Sequence, residues 1–197
     1  MSIPSFNPRL AILFFIILIA AMLRIPSTLI PALSNFTPIG AMALFGGHYF
    51  SNKIKSFIFP LLTLLMSDLI INNLIYEGKY GVMHSGWYWI YGTFCLIVLI
   101  GKYALKKITI TNAVMAAILS TLLYWFVVDG MFWLGGGQDL RTMLPLSRNF
   151  SGLIQSYVQG LPFAKNFLSG TLLYGAIMFG AFEWMQQRFP FLKYSTK

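Results

Sequence analysis

The chain has 197 residues, of which 57% are hydrophobic and only 10% charged, with a formal net charge of +9. A soluble globular domain carries about 25% charged residues, so a soluble enzyme, a disordered chain and a nucleic-acid-binding domain are poor readings of this composition. The positive balance is 14 Lys+Arg against 5 Asp+Glu; it reflects scarce acids more than abundant bases, and acids are costly inside a bilayer. One cysteine excludes an intrachain disulfide framework and a cysteine-based zinc site.

Crossing about 30 Å of hydrocarbon takes about 20 helical residues. Six stretches qualify as candidate spans, and no linker or repeat divides the chain, so 1–197 reads as one transmembrane domain. The first, 10–23, is bracketed by Arg9 and Arg24 and is short unless both arginines snorkel. The second, 36–50, is rich in small residues, with Ala43 and Gly47 spaced for close helix packing. The third, 56–76, is interrupted only by Asp68, and Pro60 lies one turn in. The fourth, 87–101, opens on Trp87, Tyr88, Trp89 and Tyr91, rings that favour a membrane interface. The fifth is 108–134 and the sixth 166–185. Between these last two, Leu153, Ile154, Tyr157, Val158 and Leu161 recur at helical spacing, which predicts a short amphipathic helix lying at the outer interface.

Basic residues concentrate in cytoplasmic loops. Six spans with both termini inside place Arg9, Lys53, Lys55, Lys102, Lys106, Lys107, Arg188, Lys193 and Lys197 on the inner side, 9 of the 14. The expected setting is a bacterial inner membrane.

Function in such a chain belongs where polarity survives at a cost. Asp68 lies roughly 18 Å into the third span at 1.5 Å per residue, in its outer half, with Asn72 one turn on along the same face. The plain reading of Asp68 is an acid paired with a neighbouring helix; the functional one is a carboxylate lining an outward-facing cavity. Asp129 ends the fifth span between Trp125 and Trp133. It is either a hydrated interfacial acid or the wall of a ligand site. Tyr88, Tyr91 and Cys95 share a face; a buried lone cysteine ordinarily behaves as a small apolar side chain. His84, in the outer loop before the fourth span, carries a metal-competent imidazole, whereas His48 falls at the other end of the bundle, so the two cannot share one metal. Asp139, Arg141 and Arg148 in the long outer loop are either solvated or meet anionic groups of a ligand. No P-loop, no H-E-x-x-H and no G-x-S-x-G motif occurs. No catalytic residue is assigned, and the chain reads as a non-enzyme with no intrinsic cofactor.

The string Asn35-Phe36-Thr37-Pro38-Ile39-Gly40-Ala41-Met42-Ala43-Leu44-Phe45-Gly46-Gly47 carries a resemblance. So do Ser67-Asp68-Leu69, Tyr91-Gly92-Thr93-Phe94 and Leu161-Pro162-Phe163. Together they resemble small bacterial BtuM-like transporters, similar to the substrate-binding S components of energy-coupling-factor (ECF) vitamin transporters. The resemblance implies an all-α, six-helix membrane bundle that captures a vitamin, foremost a corrinoid such as cobalamin, from the outer side. It implies a pocket containing Asp68 and Tyr91, and an ECF-type energising module as partner. The expected substrate-binding set is Asp68, Asn72, His84, Tyr88, Tyr91, Asp129 and Trp133, with His84 as axial ligand to the cobalt of a bound corrinoid. The alternatives are another vitamin or precursor on the same scaffold, an intramembrane enzyme using Asp68 and Asp129 on a lipid or cofactor, and a structural partner subunit.

Overall fold

The computed structural model describes residues 7–79, 81–83 and 85–193. Among them the chain is all helical: α1 (Pro8–Met22), α2 (Ile25–Leu29), α3 (Ile39–Tyr49), α4 (Lys53–Ile70), α5 (Trp87–Leu99), α6 (Ile110–Leu134) and α7 (Phe150–Arg188), with short 3₁₀ turns at Pro31–Leu33 and Pro190–Leu192. Three segments are long and apolar enough to cross a membrane: Pro8–Leu29, Lys53–Ile75 and Ile110–Leu134.

α3 is the hub. It packs against α1, α4, α5, α6 and α7, and every residue in it except His48 is buried. The sequence explains this: a helix apolar all round has no face for solvent, and Gly40, Ala41, Ala43, Gly46 and Gly47 let neighbours close in. A Cβ at Gly47 would overlap the backbone carbonyl of Val98 on α5, and one at Gly46 would overlap the Pro60 ring on α4. At about 1.5 Å per residue, its 11 residues reach only about 16 Å, about half a bilayer core. The Asn35–Pro38 stretch before it is a tight turn: Asn35 is left-handed at φ 65°, Thr37 N–H donates to its carbonyl at 2.9 Å, and Met42 N–H closes the first helical turn onto Pro38.

Two helices end in a widened π turn, α4 through Ile71–Ile75 and α5 through Ile100–Ala104. Such turns concentrate at functional positions, and the first directly follows Asp68. α6 starts under the Thr109 hydroxyl, which accepts from Asn112 N–H. At its far end Arg148 donates to the carbonyls of Trp133 and Leu134 at 2.9 and 2.7 Å, satisfying acceptors that a helix C-terminus leaves open.

The amphipathic segment around 151–161 is not a separate short helix. It is the first third of α7, which runs without interruption for 39 residues. Pro162 cannot donate to the Val158 carbonyl, which would ordinarily end a helix. Both residues are exposed, so the freed carbonyl can be satisfied by interfacial water. This first third packs along α6: Ser156 Oγ donates to the Asp129 carbonyl at 2.8 Å, and Trp125 Nε1 donates to the Tyr157 carbonyl at 3.1 Å.

Candidate functional site

Arg24, at the break between α1 and α2, reaches across to α4. Its Nη2 lies 2.6 Å from Asp68 Oδ1, and both side chains are about nine-tenths buried. Arg24 Nη1 also donates to Ser67 Oγ and to the Leu64 carbonyl. From α5, the Tyr91 hydroxyl donates to the other carboxylate oxygen of Asp68 at 2.7 Å. Three helices thus meet on one carboxylate. The cost of burying a charge is offset only when pairing and hydrogen bonds are this complete.

The ion pair borders a hollow of about 230 Å³, walled by Arg24, Thr37, Asp68, Tyr76 and Tyr124 among others. Two buried polar atoms of these walls, Arg24 Nε and Thr37 Oγ1, have no hydrogen-bond partner. Leaving a buried donor unsatisfied costs about 1–3 kcal/mol, so these positions invite an acceptor.

A second hollow, about 370 Å³, lies against the first. Asn35 and Tyr124 line both. Its walls also include Trp125, Asp129, Phe132, Gln159 and Phe163. The Asp129 carboxylate packs over Gly160, where a Cβ would overlap it, so the absence of a side chain on α7 makes its place. Gln159 is committed to the loop between α6 and α7: its Oε1 accepts from Leu140 N–H at 3.1 Å and its Nε2 donates to the Gln138 carbonyl at 3.0 Å. The ring of Tyr124 is stacked on Phe167, centroids 4.5 Å apart.

The other expected residues are distributed as follows. Asn72 is buried in the π turn after Asp68, its carbonyl accepting from Gly78 N–H at 2.9 Å, and it lines neither hollow. Tyr88 is largely exposed in an aromatic run with Trp87 and Trp89. Trp133 also lies away from both hollows, its Nε1 donating to the Ser147 carbonyl at 2.8 Å; it pins the loop that follows α6. His84 lies outside the described residues. Among those described, no group of three His, Cys, Asp or Glu side chains could hold a metal ion. Cys95 is a half-buried free thiol. Arg141 pairs with Asp139 at 2.7 Å within its own loop.

Asp68 and Asp129 therefore wall two neighbouring hollows rather than facing each other across one, with Asn35 and Tyr124 between them. Arg24, Thr37, Tyr124, Gln159 and Phe163 are the site residues that the sequence did not single out. Arg24 carried only a weak signal, as a base flanking a span on the side expected to be poor in bases, and that signal does not name Asp68 as its partner. At the opposite end of the bundle, Tyr49 OH donates to Glu183 Oε1, and Arg9 donates to Gln186 Oε1 at 3.2 Å and to the Tyr49 and Leu192 carbonyls. These groups and His48 surround a polar hollow of about 500 Å³.

A family model, that of a family of unknown function (DUF6580), matches residues 4–192, and the chain belongs to that family. No curated protein and no solved structure matches it.

Proposed function

We propose that this member of the family is an integral membrane uptake protein of the bacterial inner membrane, which captures a small vitamin-type molecule from the extracytoplasmic side. In this reading the α1–α2 segment, α4, α5, α6 and α7 surround the half-length α3, the six together forming an S-component-like bundle, and the Arg24–Asp68 end faces outward. The observation that carries it is polarity left unspent around two adjoining hollows at one end: the Nε of Arg24 and the Oγ1 of Thr37 in one, the Asp129 carboxylate in the other. A few convergent polar groups in an otherwise apolar and aromatic concavity are the usual makings of a small-molecule site.

Volumes of about 370 and 230 Å³ favour a small vitamin or precursor. A corrinoid, with its macrocycle and nucleotide tail, is larger than the ligands that pockets of about 300–1,000 Å³ accommodate. It would require the loops 30–38 and 135–149 to part, with His84 as axial cobalt donor. The chain carries no P-loop, so inward movement draws on a partner ATPase module of ECF type or on the substrate gradient. Placing Asp68 and Asp129 in separate hollows favours two walls of a carrier over an acid–base pair.

Mass spectrometry of the gently purified protein tests the reading. A stoichiometric small molecule is expected with the wild type, and its amount falls in Asp68→Asn and Asp129→Asn. A red, cobalt-containing preparation selects the corrinoid version; a colourless one with a smaller vitamin removes it. Protein that carries nothing, and is not stabilised by any vitamin offered to it, overturns the uptake reading.

A further inference from the structure

The larger of the two adjoining hollows, that of Asp129, has walls of a distinctive kind. Tyr124, Trp125, Phe132 and Phe163 supply aromatic rings, and among the described residues no lysine or arginine lines it. Asp129 is its one ionisable acid, and the carboxylate has neither a hydrogen-bond donor nor a basic partner among the described residues. Two neighbouring donors are committed elsewhere: Trp125 Nε1 to the Tyr157 carbonyl and Gln159 Nε2 to the Gln138 carbonyl. The carboxylate lies over the bare Cα of Gly160, where a Cβ would overlap it.

We infer that the ligand seated in this hollow bears a cationic nitrogen head, an ammonium or amidinium carried on an aromatic or heteroaromatic body. The inference rests on the capture reading above and names the substrate class. Two physical effects add up. The carboxylate accepts charge-assisted hydrogen bonds, about twice as strong as neutral ones, and the surrounding ring faces attract a cation by their quadrupoles. A metal cation is the weaker fit, because a hard cation takes about six oxygen ligands and the hollow has one carboxylate. An anionic ligand would meet Asp129 with no cation on these walls to offset it.

The same nitrogen chemistry occurs in free solutes and in amine-bearing lipid headgroups. The test uses three probes of one shape and different charge, benzamidinium, benzamide and benzoate, titrated calorimetrically into the full-length protein in detergent. Benzamidinium is expected to bind at least tenfold tighter than benzamide, with benzoate weakest. Asp129→Asn brings benzamidinium to the level of benzamide and leaves benzamide unchanged, which also shows that the variant is folded. Gly160→Ala, which displaces the carboxylate, weakens benzamidinium in the same direction. Glu183→Gln, at the far end of the bundle, leaves all three as they are. Repeating the titration in nanodiscs with and without phosphatidylethanolamine separates the sources: competition by that lipid identifies a headgroup, and its absence a free solute.

Benzamide or benzoate binding as tightly as benzamidinium, or an Asp129→Asn variant that keeps the preference, overturns the cationic head and leaves the capture reading standing. Failure of all three probes to bind removes the hollow as a ligand site, and both readings go with it.

Discussion

Asp68 shows how one side chain can satisfy two demands. A carboxylate at membrane depth needs a counter-charge, and Arg24 provides it at 2.6 Å with Tyr91 completing the shell. Breaking such a pair from one side costs about 3–5 kcal/mol, because the remaining charge stays buried and uncompensated. Asp68→Leu and Arg24→Met are each expected to lose stability of that order in detergent unfolding. The double variant Arg24→Met/Asp68→Leu should lose much less than the sum of the two, and a double variant that loses the full sum would show that the charges are not coupled. The sequence alone made Asp68 visible, because an acid in an apolar run stands out. It could not show the partner, since Arg24 at the end of a short span reads equally well as a snorkelling flank. Trp133 is the converse: its place beside Asp129 suggested a pocket wall, yet its indole N–H holds the loop at Ser147. Local spacing does not say which of several neighbours a long side chain will reach.

In the loop after α6, Asp139 accepts from both the side chain and the backbone N–H of Arg141, and these bonds hold its carboxyl below the usual carboxylate range. A lowered folded-state value means the contribution is present above the unfolded value, about 3.9 for Asp, and is lost as pH falls through the lower folded value. Protection factors of the amides in residues 138–146, which remove the intrinsic pH dependence of exchange, are therefore expected to hold steady from neutral pH down to the unfolded value and to fall only below it. Arg141 is largely exposed, so the effect is small.

At the scale of elements, hydropathy located α1, α4 and α6, whose apolar runs are long enough to be unambiguous. The same signal marks 36–50, where the small residues build an 11-residue helix that is buried at every position but His48. Its glycines can be tested in contrast. A Cβ at Gly47 would overlap α5 backbone, whereas one at Gly180 on α7 meets nothing within 4 Å. Gly47→Ala is expected to cost about 1–3 kcal/mol through overpacking. Gly180→Ala should be neutral or gain up to about 1 kcal/mol from helix propensity. Thermal unfolding of the two variants in one detergent checks this; equal effects would remove the close α3–α5 crossing. The continuity of α7 was hidden for a different reason. A proline in the middle of a helical pattern argues for a break, and only the exposure of Val158 and Pro162 shows why none is needed.

At the scale of the whole molecule, polarity gathers at the two ends of an apolar bundle, and the ends differ. One pairs Arg24 with Asp68 beside two hollows. The other links Tyr49, Glu183, Arg9 and Gln186 around a third. On the proposed orientation the first end faces outward, where capture would take place; the charge of single loops could not have revealed that the hollows adjoin through Asn35 and Tyr124. The measurement that bears most directly on this account is labelling of Ser34→Cys, on the wall of the Asp68 hollow, in a Cys95→Ala background with a membrane-impermeant maleimide. Intact cells are expected to label at this position, and the molecule recovered from the wild-type protein should slow the reaction. Labelling that appears only after the membrane is permeabilised would contradict an outward-facing hollow, and the uptake mechanism would fall with it.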